Sequence, residues 1–203
     1  MRPGEVTSDK QAFVQILNRL EGDVGTIMKL ILNAKILGAA FKDTAPFWAL
    51  IRMMFPIAES VGDLIHRQDS TVRNLTLVLQ NQFGTGYKDK ANILAVLYRH
   101  SLTHQDEMRC LLTDKKEVIW IVTYGVKGSH LEVKLEGNNI TVHFDTTAFY
   151  DDLVKVVQAA EKGTWSGEVM NRYNSWLTLD LDADAKKYKF AIKEIGDLFM
   201  SLK

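Results

Sequence analysis

Along its first half the chain sets apolar residues at steps of three and four. Phe13, Ile16, Leu17 and Leu20 form the first series, behind Ser8 or Asp9 as the N-cap, and this spacing predicts a helix. Ile27, Leu30, Ile31, Ala34 and Leu37 carry the same face past Gly22 and Gly25, which leaves open one long helix or two joined by a bend. Asp43-Thr44-Ala45-Pro46 reads as a cap with a first-turn proline, opening a helix with Leu50, Met53, Met54, Ile57, Val61, Leu64 and Ile65 inward. Pro56 lies inside that pattern and predicts a kink near Arg52 to Pro56, because proline lacks the backbone donor and crowds the preceding turn. A helix from about Ser70 carries Val72, Leu75, Leu79 and Phe83 and is expected to stop at Gly84-Thr85-Gly86. The next runs from about Asp89 through Ile93, Leu94, Leu97 and Tyr98 toward position 104.

After Thr113 the period changes to two. The stretches 118–124, 130–135 and 140–144 are rich in branched and aromatic residues and separated by glycine-containing turns, which reads as a three-stranded antiparallel meander. Thr146 or Thr147 then caps a helix with Phe149, Leu153, Val156, Val157 and Ala160, ending at Lys162-Gly163. A last helix from about Ala183 to Leu202 puts Tyr188, Ala191, Ile195, Leu198 and Phe199 on one side, and Trp176-Leu177-Thr178-Leu179 reads as a short strand. The expected fold is mainly helical α+β in a single domain, residues 1–203. A helical bundle (8–110) is followed by the small β-meander (115–145) and by C-terminal helices (146–203) packed on it.

Composition narrows the partners. With 203 residues, 46% hydrophobic and 25% charged, the chain has ample material for a core. Lys plus Arg at 25 balances Asp plus Glu at 25, which argues against a broad basic field, so any polyanion contact must be local. Cys110 is the only cysteine, so no intrachain disulfide forms and a cytoplasmic location is the expectation. Met1-Arg2-Pro3-Gly4-Glu5 lacks the apolar run of an export signal. Lys29 and Lys35 interrupt the greasiest segment, 27–41, so no membrane span is expected.

Most chemical signatures are missing. Gly84-Thr85-Gly86 lacks the remaining glycine and preceding strand of a dinucleotide loop, no Gly-Lys-Ser/Thr loop exists, and neither zinc-ligand spacing nor a nucleophile-elbow serine is present. What stands out is Val96-Leu97-Tyr98-Arg99-His100-Ser101-Leu102-Thr103-His104-Gln105, where one guanidinium and two imidazoles crowd the end of an apolar helix.

This segment resembles the signature of the HEPN family (higher eukaryotes and prokaryotes nucleotide-binding), in which an Arg is followed by a polar residue and then, after four to six positions, by a His. Arg99 and His104 match, with His100 in the polar place. The segment from Met54 to Gly62 is similar to the kinked helix that precedes the motif in bacterial members, and the resemblance covers roughly the first half of the chain. It implies a metal-independent endoribonuclease without cofactor. Arg99 and His104 would be catalytic, His100 and Glu59 supporting, the product a 2′,3′-cyclic phosphate and the active site completed across a homodimer. A toxin of this kind would have an antitoxin protein as a further partner. Some members are non-catalytic modules that bind a nucleotide, RNA or a protein, which is the alternative.

The residue types suit that chemistry. Histidine, with a reference pKa of about 6.5, can exchange a proton with a ribose 2′-hydroxyl or a leaving 5′-oxygen, and arginine offers a planar fork of donors to phosphate oxygens. On an undistorted helix, positions five apart point roughly 140° from each other. Arg99 and His104 therefore converge only if the helix bends or ends near Leu102-Thr103, or across a two-fold dimer.

Other readings of the same residues compete. His100, His104 and Glu107 share a helical stripe and offer three metal ligands. Arg99 can pair with Asp106, and His104 can sit at a helix C-terminus where a positive imidazole is favoured. Arg52, Glu59, Asp63 and His66 recur at spacings of seven, four and three, the pattern of a solvated helix face. His130 and His143 read as strand-surface residues and Lys127 as an exposed turn lysine. Trp120, Trp165 and Trp176 with Tyr124 offer stacking surfaces for bases in one reading, but aromatics at strand positions are usually core, and no function is assigned to them.

Overall fold

The computed structural model of the chain describes residues 4–36, 45–98, 111–113, 116–137, 139–177 and 182–201. Helix α1 (Asp9–Arg19) begins at Ser8, whose hydroxyl accepts from the Gln11 N–H at 3.2 Å. Leu20–Val24 form a π-helical turn, with the Gly25 N–H bonded five residues back to the Leu20 carbonyl, and α2 (Gly25–Ile36) continues without a break. The two halves are thus one under-wound helix. Ile16, Leu20, Val24 and Met28, all buried, advance in steps of four. Each such step carries an ideal stripe about 40° around the helix, and the wider π turn takes that drift back so that all four face the core.

Helix α3 (Ala45–His66) passes through Pro56 and continues to His66. Its apolar face meets α4 (Thr71–Asn81), capped by the Ser70 hydroxyl at 3.4 Å from the Arg73 N–H. Helix α4 ends ahead of Gly84-Thr85-Gly86 as expected, and Gly84 then precedes a separate single turn. In α5 (Thr85–Lys88) Tyr87 is driven into the core, and α6 (Ala91–Leu97) follows.

The sheet corrects the meander. Strands β1 (Leu111–Thr113), β2 (Lys116–Thr123), β3 (Val133–Glu136) and β4 (Asn139–Asp145) lie in the order β1-β2-β4-β3, with β2 and β4 parallel and the two outer pairs antiparallel. After β2 the chain does not double back. Gly125 (φ 78), a 3-10 turn at Lys127–Ser129 and Leu131 (φ 62) take it past the position of β4, so that β3 pairs on the far edge. Val118, Trp120 and Val122 are buried while Ile121 is exposed, an alternation common to parallel and antiparallel strands.

Asp145, not Thr146 or Thr147, caps α7 (Thr146–Glu161), its Oδ1 accepting from the Thr147 and Ala148 N–H groups at 3.1 and 3.0 Å. Trp176 ends helix α8 (Glu168–Trp176) and does not open the expected strand, whose Thr178 and Leu179 lie outside the described residues. Helix α9 (Lys189–Ser201) starts later than expected, after a 3-10 turn at Asp182–Asp184. One hydrophobic cluster joins bundle, sheet and α7. At its centre Phe55 stacks on Tyr98 and Phe149 at 4.8 and 4.9 Å and meets Phe144 at 5.8 Å. No helix among the described residues is long and apolar enough to cross a membrane.

Candidate functional site

The motif residues Arg99, His100 and His104 lie outside the described residues, as does Glu107. The chain is described up to Tyr98, the C-cap of α6. Tyr98 is buried, its ring nearly parallel to Phe55 on α3, and Glu59 sits one helical turn further along α3, half-buried.

The solvated stripe expected around Glu59 is not solvated at Asp63. Arg172 of α8 binds the Asp63 carboxylate through Nε at 2.8 Å and Nη2 at 2.6 Å, and buried Asn74 of α4 donates to Oδ1 at 2.8 Å. Asn74 also bonds the Gln68 carbonyl and N–H, closing the α3–α4 turn. Helical spacing groups charges on one face but does not reveal that another helix will cover them.

The described residues that do converge were not foreseen. His130 lies on the loop before β3, not on a strand surface, and its ring joins residues from three other elements. Nδ1 accepts from the Asp145 N–H at 2.9 Å, Nε2 faces the Tyr87 hydroxyl at 2.8 Å, and that hydroxyl donates to Asp152 Oδ2 at 3.1 Å. Because Nδ1 is an acceptor, the neutral ring carries its proton on Nε2 and gives it to Tyr87, so donors run one way from backbone to Asp152. The outer carboxylate oxygen of Asp152 takes Lys155 at 2.9 Å.

Electrostatics hold this chain neutral at its centre. Burial pushes the His130 imidazole down to about 4, against the opposing pull of Asp145 and Asp152. Burial also raises the Tyr87 phenol far above its ordinary range, helped by the charge and hydrogen bond of Asp152. With its one lone pair engaged, His130 has none to offer a substrate, so the cluster braces the loop against α7. Asp145 is buried too, and its Oδ2 accepts from the Thr123 hydroxyl at 2.9 Å and the Val126 N–H at 2.7 Å.

The remaining candidates stay structural. His143 lies half-buried on β4, and Lys127 pairs with Asp151. Trp120 is core, Trp165 donates to the Ala160 carbonyl at 2.8 Å, and Tyr124 donates to the Met28 carbonyl at 2.9 Å. Among the described residues no three His, Cys, Asp or Glu side chains gather to hold a metal ion. Comparison of the chain with protein-family models, curated proteins and solved structures returns no match.

Proposed function

We propose that the chain is an endoribonuclease of the HEPN type that cuts RNA without a metal ion. His104 takes the proton of a ribose 2′-hydroxyl and supplies one to the leaving 5′-oxygen, while Arg99 binds the phosphate oxygens and stabilises their extra charge. The 2′-oxygen attacks phosphorus, the bond to the 5′-oxygen breaks, and the products are a 2′,3′-cyclic phosphate and a 5′-hydroxyl. Two copies of the chain complete the site, one of the two routes by which residues five apart in sequence converge. His100 and Glu59 support the reacting pair.

The observation that carries this reading is the Arg99-to-His104 spacing in the sequence that follows α6. Its support is local: Tyr98, adjoining Arg99, is seated on Phe55, on the helix that bears Glu59. The test is RNA cleavage by the purified protein in EDTA, with analysis of fragment ends. Cyclic phosphate ends that vanish in both Arg99→Ala and His104→Ala, with thermal unfolding nearly unchanged, support the assignment. Variants that cut as the parent does would overturn it, and RNA binding without fragments makes the chain a non-catalytic module.

A further inference from the structure

A cleft of about 270 Å³ opens between α1, the π turn, α3 and α8. Its inner wall is apolar, with Ile16 and Val24 buried and Met53 half-buried. On the α8 side stand Tyr173 and Trp176, their rings tilted together at 5.8 Å, with Trp176 40% exposed. Arg19, Arg52 and Asp23 are the charged residues of its lining. Arg19 and Asp23 are one turn apart, yet neither side chain has a hydrogen-bond or ion-pair partner among the described residues.

Two helix irregularities border this space. Asp23 and Val24 belong to the π turn, and Pro56 of α3 has no N–H to return to the Arg52 carbonyl. Such π turns occur often at functional sites, and here the turn sets a carboxylate and an apolar side chain on the wall. We infer that this cleft is a binding site for a small aromatic monoanion, its flat body against Met53 and Trp176 and its carboxylate or other acid group held by Arg19. Apolar walls with a few charged groups at one end suit such a ligand, and the volume limits it to metabolite size. The guanidinium fork fits a carboxylate with two parallel hydrogen bonds, while the exposed indole face supplies stacking. The inference does not depend on Arg99 or His104 and is independent of the RNA reading.

The probes are 2-naphthoate and its neutral analogue 2-naphthamide, titrated into the full chain and followed by the Trp176 indole N–H resonance, assigned with Trp176→Phe. The acid is expected to saturate the shift and to bind about tenfold more tightly than the amide, the scale of one charge-assisted pair. Arg19→Gln should bring the two within about twofold, the pair's advantage being lost with the charge. Met53→Trp should abolish both by filling the cleft; where that variant unfolds, Trp176→Ala, read by calorimetry, serves instead and should weaken both. Absence of a saturable shift, equal binding of acid and amide, or an acid preference that survives Arg19→Gln would overturn the proposal.

Discussion

Tyr87 and His130 stand 43 residues apart in the chain and meet at 2.8 Å between the phenol oxygen and Nε2. The contact fixes the tautomer, because the other ring nitrogen already accepts from the Asp145 backbone at 2.9 Å. Protonating the ring would set two N–H groups against each other.

A pH dependence follows from that geometry. The imidazole falls to about 4 in the folded chain from 6.5, so between those values the unfolded state holds more protons. The contribution of His130 is therefore complete above pH 6.5, falls as the pH drops toward 4, and is constant below. It amounts to at most about 3 kcal/mol. Urea midpoints at pH 7, 5.5 and 4 should show His130→Gln losing less stability than the parent across that interval. Parallel curves would refute the claim.

Gly62 is expected to reject a methyl group. A Cβ there would meet the Asn74 carbonyl carbon at 2.8 Å, a backbone atom that cannot swing aside. Glycine to alanine inside a helix ordinarily stabilises by up to about 1 kcal/mol. Here overpacking reverses the sign, and Gly62→Ala should cost about 3 kcal/mol. Gly22→Ala, with nothing within 4 Å of the added carbon, should raise the denaturation midpoint.

Asp63 and Arg172 tie α3 to α8 across 109 residues of sequence. Asp63 is largely enclosed, with 14% of its side chain exposed against 41% for Arg172. Removing the carboxylate strands one buried donor of Asn74 as well as the guanidinium, so Asp63→Ala should cost about 2 to 3 kcal/mol and Arg172→Met about 1. A double-mutant cycle should return a coupling of about 1 to 2 kcal/mol, and strictly additive losses would show the pair to be energetically silent.

Within the RNA-cleaving reading, the two histidines are expected to differ. His104→Ala should lower the cleavage rate by about a hundredfold or more, the usual contribution of a positioned acid or base. His100→Ala should lower it less. Single-turnover rates on one RNA would measure both, and equal losses would require His100 to share the chemistry.

The helical part of the fold is legible because capping and spacing are local. Ser8, Ser70 and the apolar face of α7 appear in the structure as their residue types require. Strand direction is not local. Val118, Trp120 and Val122 alternate identically in either orientation, and a left-handed Leu131 between two turns is not a residue preference that periodicity detects. Asp145 displaced the two threonines as the α7 cap because its second oxygen also serves Val126, 19 residues earlier. The His130 cluster joins residues separated by 15 to 65 positions, and no spacing rule reaches so far. For Glu59, sequence yields its helix and the structure adds its half-burial, one turn along α3 from Phe55. Arg99, His100 and His104 remain readings of sequence, since they lie outside the described residues.

The Asp9 carboxylate accepts from the Gly167 and Met170 N–H groups at 2.6 and 2.7 Å, and Asn174 holds Val6 through both its N–H and its carbonyl at 2.9 Å. During synthesis on the ribosome, Asp9 emerges 158 residues before Gly167. Helix α1 therefore waits through the synthesis of those 158 residues for the segment that completes it. A nascent chain paused before α8 leaves α1 without this lock, open to chaperones.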